Sequence, residues 1–572
     1  MYKPNKQHLQ PPLLSNVQAL PEKHRQRLEQ SWAGEFYRQF FCRLKEQAFA
    51  CLYVDHPSRP NVPVNVLVAL DTLKAGFGWS DEELYDHFTF DVQVRYALGY
   101  HNLDEGDFDI RTLYNFRRRI SQYNLKHGIN LLEQCFEEIT DQQVIVFKVK
   151  TDQQRMDSTM IASNILDSSR LQLAAELLQR IERLLSETDR ARYAERLAPY
   201  MKDTVNQYVY RIKGKELVQQ ELTQIGQLLY ALLQDLRHRY TQHPFWPVVE
   251  RFFAENFQVE ESVVQPKDGK QLSSGCLQSL DDLEASYRQK GQQFYKGFVA
   301  NLTETCHPEN PVQLVTKTQT NPNNVDDPTL LLAALPNLAA RTDLQKLYTD
   351  GGFGSPVVDQ ALRQHQVEQI QSAIRGTRLN PEKLHLSAYT IVQDEQGQPI
   401  QITCPQGATV PVQPTPSGRS FLARFDRNPC TQCPFHTENR CRILWRKRCA
   451  KFQIDFTQQE ADAAVRRRRC LENQKAGQNL RAAVEAAMRS LKHPFRAGKL
   501  PVRGLFRVSC LVIGSAAMIN IRRITRYRWS KSHPQVARDA SSPSSLCGLR
   551  SLWNRLYGFL EGDWPHWRFI GC

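Results

Sequence analysis

From Arg481 to Lys492 the chain reads Arg-Ala-Ala-Val-Glu-Ala-Ala-Met-Arg-Ser-Leu-Lys, and this stretch constrains the fold more than any other. At about 100° per residue, an α-helix here gathers Arg481, Glu485, Arg489 and Lys492 into one arc of roughly 80°. Val484, Met488 and Leu491 fall on the adjoining arc. Such a helix must bury an apolar stripe against another layer while holding one carboxylate among three cations. That face is either a solvated salt-bridge surface or a grip for a divalent ion and a phosphate backbone.

Two upstream carboxylates bear on the choice. Asp157 stands in Arg155-Met-Asp157-Ser-Thr159-Met, after the β-branched and aromatic run Val144-Ile-Val-Phe-Lys-Val149, so it is expected on or beside a strand. Asp350 closes Lys346-Leu-Tyr-Thr-Asp350 and precedes Gly351-Gly352, the pattern of a short strand ending at a turn. Each alone also fits a turn or cap residue. Two strand carboxylates and a helix glutamate are able to converge on one point.

With these residues in this order, the chain resembles the DDE transposases of bacterial insertion sequences. Many members carry a Tyr-x2-Arg-x3-Glu-x6-Lys signature around their last acidic residue, and Arg481-x3-Glu485-x6-Lys492 has that spacing, with Gln478 at the tyrosine position. Asp157-Ser-Thr, followed by Ser163-Asn-Ile and Ser169-Arg-Leu, is similar to the first-aspartate segment of the branch with an N-terminal helical domain. Tyr348-Thr-Asp350-Gly-Gly-Phe-Gly-Ser is similar to the second. The resemblance implies an α/β fold with a ribonuclease-H-like core, a mixed sheet flanked by helices. It also implies a metal-dependent transposase that cuts double-stranded DNA at terminal inverted repeats and joins the freed 3′ ends to target DNA.

The chemistry accounts for three acids. In-line attack on a phosphodiester uses two divalent ions about 3.5–4 Å apart, one at the nucleophile and one at the leaving oxygen. Mg²⁺ or Mn²⁺ suits carboxylate oxygens, and the ions relieve the repulsion among the acids. The resemblance implies that Asp157 bridges both ions while Asp350 binds one and Glu485 the other. It further implies that Arg481 and Lys492 touch DNA phosphates beside the cleaved bond, with Arg489 on the same face. A nuclease on the same core, or an inactive DNA-binding relic, are the alternatives.

A formal charge of +14 favours a polyanionic partner without establishing one. At 572 residues, 41% of them hydrophobic, the chain is too long for one core. Residues 1–60 form an N-terminal extension of unclear fold. Residues 61–130 read as a helical DNA-binding domain: Val66–Leu73 suggests one helix, Ser80-Asp-Glu-Glu83 a capping box, and Arg111–Ile120 an amphipathic helix whose basic end is Arg117, Arg118 and Arg119. A plain bundle with a charged outer face fits the same residues. The catalytic core is expected from 140–165, 285–378 and 470–525, with strands over Phe294–Thr303, Val312–Thr318 and Val367–Ile374. A helical insertion takes 166–284. Leu505 to Asn520 is apolar but short of a bilayer span, and reads as a buried helix. No signal peptide opens the chain, so a bacterial cytoplasmic, nucleoid-associated protein without membrane contact is expected. Synapsis of two ends implies a homodimer.

Residues 379–469 are a second insertion, holding Cys404, Cys430-Thr-Gln-Cys433, Cys441 and Cys449, with His436 among them. Cys430, Cys433 and Cys441, with Cys404 ahead of Cys449 as fourth ligand, suit tetrahedral Zn²⁺; reduced, unmetallated thiols are the other reading. Arg442, Arg446-Lys-Arg448, Lys451 and Arg466–Arg469 form the most basic region and are read as lining a DNA groove, or as solvated helix faces. Beyond Thr525 a Ser/Pro link at 541–546 leads to a Trp-rich tail, 526–572, with no pattern joining it to the core.

Overall fold

The computed structural model describes residues 2–534 apart from 11, 13, 55–59, 262, 374–379, 395, 448–450, 476–479 and 482. The expectations for Gln478, Arg448, Cys449 and the tail from 535 onward lie outside the described residues. The central sheet is built from β1 (Gln153–Ile161), β2 (Ser286–Lys290), β3 (Gln293–Thr305), β4 (Val315–Pro322), β5 (Lys346–Thr349) and β6 (Glu368–Gln371). Its order is β2-β3-β1-β5-β6, and β4 shares the outer edge of β3 with β2. β3 runs antiparallel to β1, β2 and β4, whereas β1–β5 and β5–β6 are parallel. β3 is continuously buried from Gly297 to Thr305, as a strand covered on both faces must be. Each parallel pair needs a crossover; the helix Pro356–Gln364 supplies the one between β5 and β6. The chain is thus α/β with a mixed sheet.

The face that carries Ile161, Phe298 and Ala300 joins an apolar core with the helices Val64–Phe77, Val484–Lys492 and Leu505–Ser532. The last of these is, among the described residues, the one helix long and apolar enough to cross a membrane, yet 67% of its most apolar window is buried. It works here as a core helix, in line with the buried helix expected from Leu505. Gly76 and Gly514 let it approach the helix Val64–Phe77, since a Cβ on either would meet Met518 or Ala75 at 2.2 or 2.8 Å. Asn520, 1% exposed, accepts from Val315 N–H at 2.7 Å and donates to Val315 O at 2.9 Å, pinning the helix to β4. Asn520→Leu leaves both backbone groups unpaired and is expected to cost about 1–3 kcal/mol, measured by chemical denaturation.

Three local expectations change. The run Val144–Val149 is not a strand: the helix Leu131–Val146 takes its first three residues, because Cys135, Phe136, Ile139 and Gln143 already form a buried helical stripe. The chain turns only at Lys148, with φ 50°, and β1 begins at Gln153. Residues 1–60, unclear in sequence, contain the helices Glu22–Glu29 and Trp32–Gln39, and Trp32, Phe36, Phe40 and Phe49 enter the same core as the helices that follow. The strand expected from Val312 begins at Val315. The helix Asp81–Phe90 does open on the Ser80–Glu83 capping box.

Between β1 and β2, the helices Arg170–Leu184, Lys215–Tyr240 and Trp246–Asn256 close around their own core of Leu177, Ile181, Leu229, Leu232 and Phe252. Between β6 and the helix Gln458–Lys475 lies a second six-stranded, antiparallel sheet with a core of Ile402, Phe425, Phe452, Ile454 and Phe456. That helix returns the chain to the central sheet by pairing Arg466 with Asp359 and placing Asp462 3.4 Å from Arg363.

Candidate active site

Period-2 alternation divides β1 between two faces. Met156, fully buried, packs with Leu331, Leu335 and Leu347. Arg155 and Asp157 therefore point to the opposite face, where the helix Val484–Lys492 lies with Val484, Met488 and Leu491 buried. The apolar stripe expected of that helix is the one it buries.

The parallel register of β1 with β5 runs Gln153↔Lys346, Gln154↔Leu347, Arg155↔Tyr348. Two more steps bring Asp157 level with Asp350, which follows β5 and caps the next turn by accepting from Gly352 N–H at 2.7 Å. Asp157 is 8% exposed. Burial pushes its carboxyl pKa up against the counter-charge of Arg481, and the charge of Asp350 pushes it further. Arg481 Nη2 stands 3.2 Å from Asp157 Oδ2, and its Nη1 is 4.0 Å from Glu485 Oε1. Arg481 Nε is buried without a hydrogen-bond partner. Asp157 and Glu485 thus face one guanidinium, and the charge of Asp350 reaches Asp157. Asp157 and Asp350 form the inner pair, and Glu485, with a side chain 68% exposed, stands at the rim. Among the described residues, no three side chains of ligating type are drawn close enough to hold an ion.

One structural device at this site was invisible in sequence. Arg155 donates from Nε to Glu304 Oε1 at 2.6 Å and from Nη1 to Leu480 O at 2.7 Å. Glu304, directly across from Arg155 on β3, is fully buried, and Arg523 Nη2 lies 2.6 Å from its Oε2 as an ion contact without hydrogen-bond alignment. A buried Arg–Glu–Arg triad thereby ties β1, β3 and the helix Leu505–Ser532 to the segment that enters the Glu485 helix. The only sequence hint is an arginine inside a strand two residues before Asp157.

The cations divide into paired and free. Arg489 is exposed. Lys492 is half-buried beside Lys290, and both burial and that second ammonium lower its pKa. Arg117 pairs with Asp71 at 2.6 Å and Asp81 at 2.7 Å, and those carboxylates raise its pKa against burial. It is an internal clamp, fixed by two aspartates a helix away. Arg118 is exposed, and Arg119 lies over the Tyr53 ring at 5.0 Å. In the basic region Arg442 pairs with Glu460, Lys451 with Asp426, Arg466 with Asp359 and Arg468 with Glu472, so much of that charge is balanced within the protein.

Residues 403–525 match the family model of the transposase DDE domain. The chain resembles DDE transposases. The matched span takes in Cys404, the second sheet from β-strand Thr409–Pro414 onward, and the Glu485 helix, while Asp157 and Asp350 lie outside it. No curated protein and no solved structure matches the chain.

Proposed function

We propose that the chain is a DNA transposase of an insertion sequence that cuts at the terminal inverted repeats of its own element and joins the 3′ ends to target DNA. The central fold is read as ribonuclease-H-like: its strand order β4-β3-β1-β5-β6, antiparallel through β1 and parallel beyond it, supports this. The β1–β5 register carries the proposal, because it sets two carboxylates side by side on the face where the Glu485 helix packs.

Oxygen-only donors suit Mg²⁺ or Mn²⁺, and the raised pKa of Asp157 marks a place where a further positive charge stabilises the ionised acid. Asp157, Asp350 and Glu485 would hold such ions, which when bound polarise the phosphodiester and activate the attacking oxygen. The remaining work belongs to the chain. The sheet fixes Asp157 against Asp350. Arg155 sets the start of the Glu485 helix through Leu480. Arg481, Arg489 and Lys492, with Lys290 alongside, meet the phosphates that flank the reacting bond. Two ammonium groups held together at Lys290 and Lys492 is an arrangement that a polyanion relieves. Two ends must be brought together, so the working unit is proposed as a homodimer on double-stranded DNA.

Labelled oligonucleotides carrying the terminal repeats of the element, incubated with the full chain and Mg²⁺, test this. Joined products are expected; cleavage alone indicates a nuclease, and a mobility shift without chemistry indicates a DNA-binding relic. Replacing Lys290 and Lys492 with Ala is expected to reduce the salt dependence of end binding by about one unit of log–log slope each. Arg117→Met should leave that slope unchanged, since its guanidinium already faces Asp71 and Asp81.

A further inference from the structure

Four cysteines that are spread over the insertion in sequence meet around one pocket in the fold. Cys404, Cys430, Cys433 and Cys441 line a single cavity of ≈ 60 Å³ together with Phe435 and His436. This is more room than the roughly 10–15 Å³ that admits one water molecule. The site is built by backbone turns. Cys404 opens a tight hairpin in which Gly407 N–H donates to Cys404 O and Cys404 N–H to Ala408 O, both at 2.9 Å. Gly407 takes φ +86°, which a glycine adopts without strain. Cys430 ends one helical turn and Cys433 begins the next, with Cys433 N–H reaching Cys430 O at 3.3 Å. Asn439, at φ 53°, then reverses the chain so that Cys441 N–H bonds Phe435 O at 2.8 Å. All four are free thiols. The phenol of Tyr389, 1% exposed, lies 3.4 Å from Cys441 Sγ.

We propose that these four sulfurs are a structural Zn²⁺ site that closes the second sheet, with Tyr389 as hydrogen-bond donor to the Cys441 ligand. Soft thiolate donors, four in number and brought from three chain segments, match the tetrahedral preference of zinc. The sheet they staple has a small core, the situation in which a bound metal adds stability that burial alone does not. Among the described residues no three such side chains already stand at ligand spacing, so binding draws the sulfurs inward about their χ1 bonds to Zn–S distances of about 2.3 Å. His436, whose ring packs edge-on against Phe452 at 4.8 Å, is left to the apolar wall. The proposal does not rest on transposition, and its test needs neither DNA nor activity.

The test is elemental analysis of the full chain purified under reducing conditions from zinc-supplemented cells. About one zinc per chain is expected, lost in Cys430→Ser and Cys441→Ser but kept in Cys51→Ser. Cobalt substituted for zinc should show the intense visible bands of a tetrahedral thiolate site. If the serine variants do not fold, the wild-type chain still decides: zinc should leave in step with mercurial modification of these four thiols. Less than about a tenth of an equivalent of zinc overturns the proposal. So does zinc retained in both serine variants, or peptide mapping that finds disulfides among the four cysteines.

Discussion

Asp157→Asn, Asp350→Asn and Glu485→Gln are each expected to lower end joining by about 1000-fold or more, a transition-state loss of about 4 kcal/mol. Binding of labelled ends should stay within a few-fold of wild type, because the phosphate contacts are proposed for Arg481, Arg489 and Lys492 and not for the acids. Stability separates this from a structural role. The pKa of Asp157 is raised in the fold, first by burial, so its ionised form is less well accommodated than in water despite Arg481. Asp157→Asn should therefore be neutral or mildly stabilising at neutral pH while abolishing chemistry. A substitution that only damaged the fold would lower the melting temperature as well. Wild-type joining by any one variant removes that residue from the site.

Glu304→Gln is expected to be the most destabilising single substitution near the site, costing about 3–5 kcal/mol, because it leaves the buried guanidinium of Arg155 and the partly buried one of Arg523 without their shared carboxylate. Replacing all three residues with Met removes every uncompensated charge and should restore most of that stability. Joining should not return with it. Arg155 also holds Leu480 O at 2.7 Å, and the triple variant loses that tether to the start of the Glu485 helix. Thermal denaturation and end joining measured on the same variants read the two effects apart. Full activity in the restabilised triple variant would show that Arg155 has no positioning role.

The Glu485 helix was legible in sequence because its stripe of Val484, Met488 and Leu491 is local, and local periodicity survives folding. The strand placement of Asp157 and Asp350 was legible for the same reason, through short β-rich segments that end at turns. The triad was not. Arg155, Glu304 and Arg523 lie on three distant elements, and only the antiparallel register of β1 with β3 sets the first two opposite each other. The pairing of Arg117 was not legible either, because Asp71 and Asp81, which hold it, sit on other helices. The Val144–Val149 run misled. Its β-branched residues favour a strand in isolation, but the amphipathic helix that begins at Leu131 runs on to Val146. The cysteines were legible as a set because sulfur is rare and its spacing telling, though their meeting at one pocket depends on Gly407 and Asn439 turning the chain.

Anomalous diffraction from crystals of the full chain soaked in Mn²⁺ tests the convergence of the three acids most directly. The expected result is manganese density between the Asp157 and Asp350 carboxylates, within reach of Glu485, with Arg481 displaced from Asp157 Oδ2. Manganese bound elsewhere, or none beside these carboxylates at saturating concentration, would contradict a shared metal site and the transposase chemistry built on it.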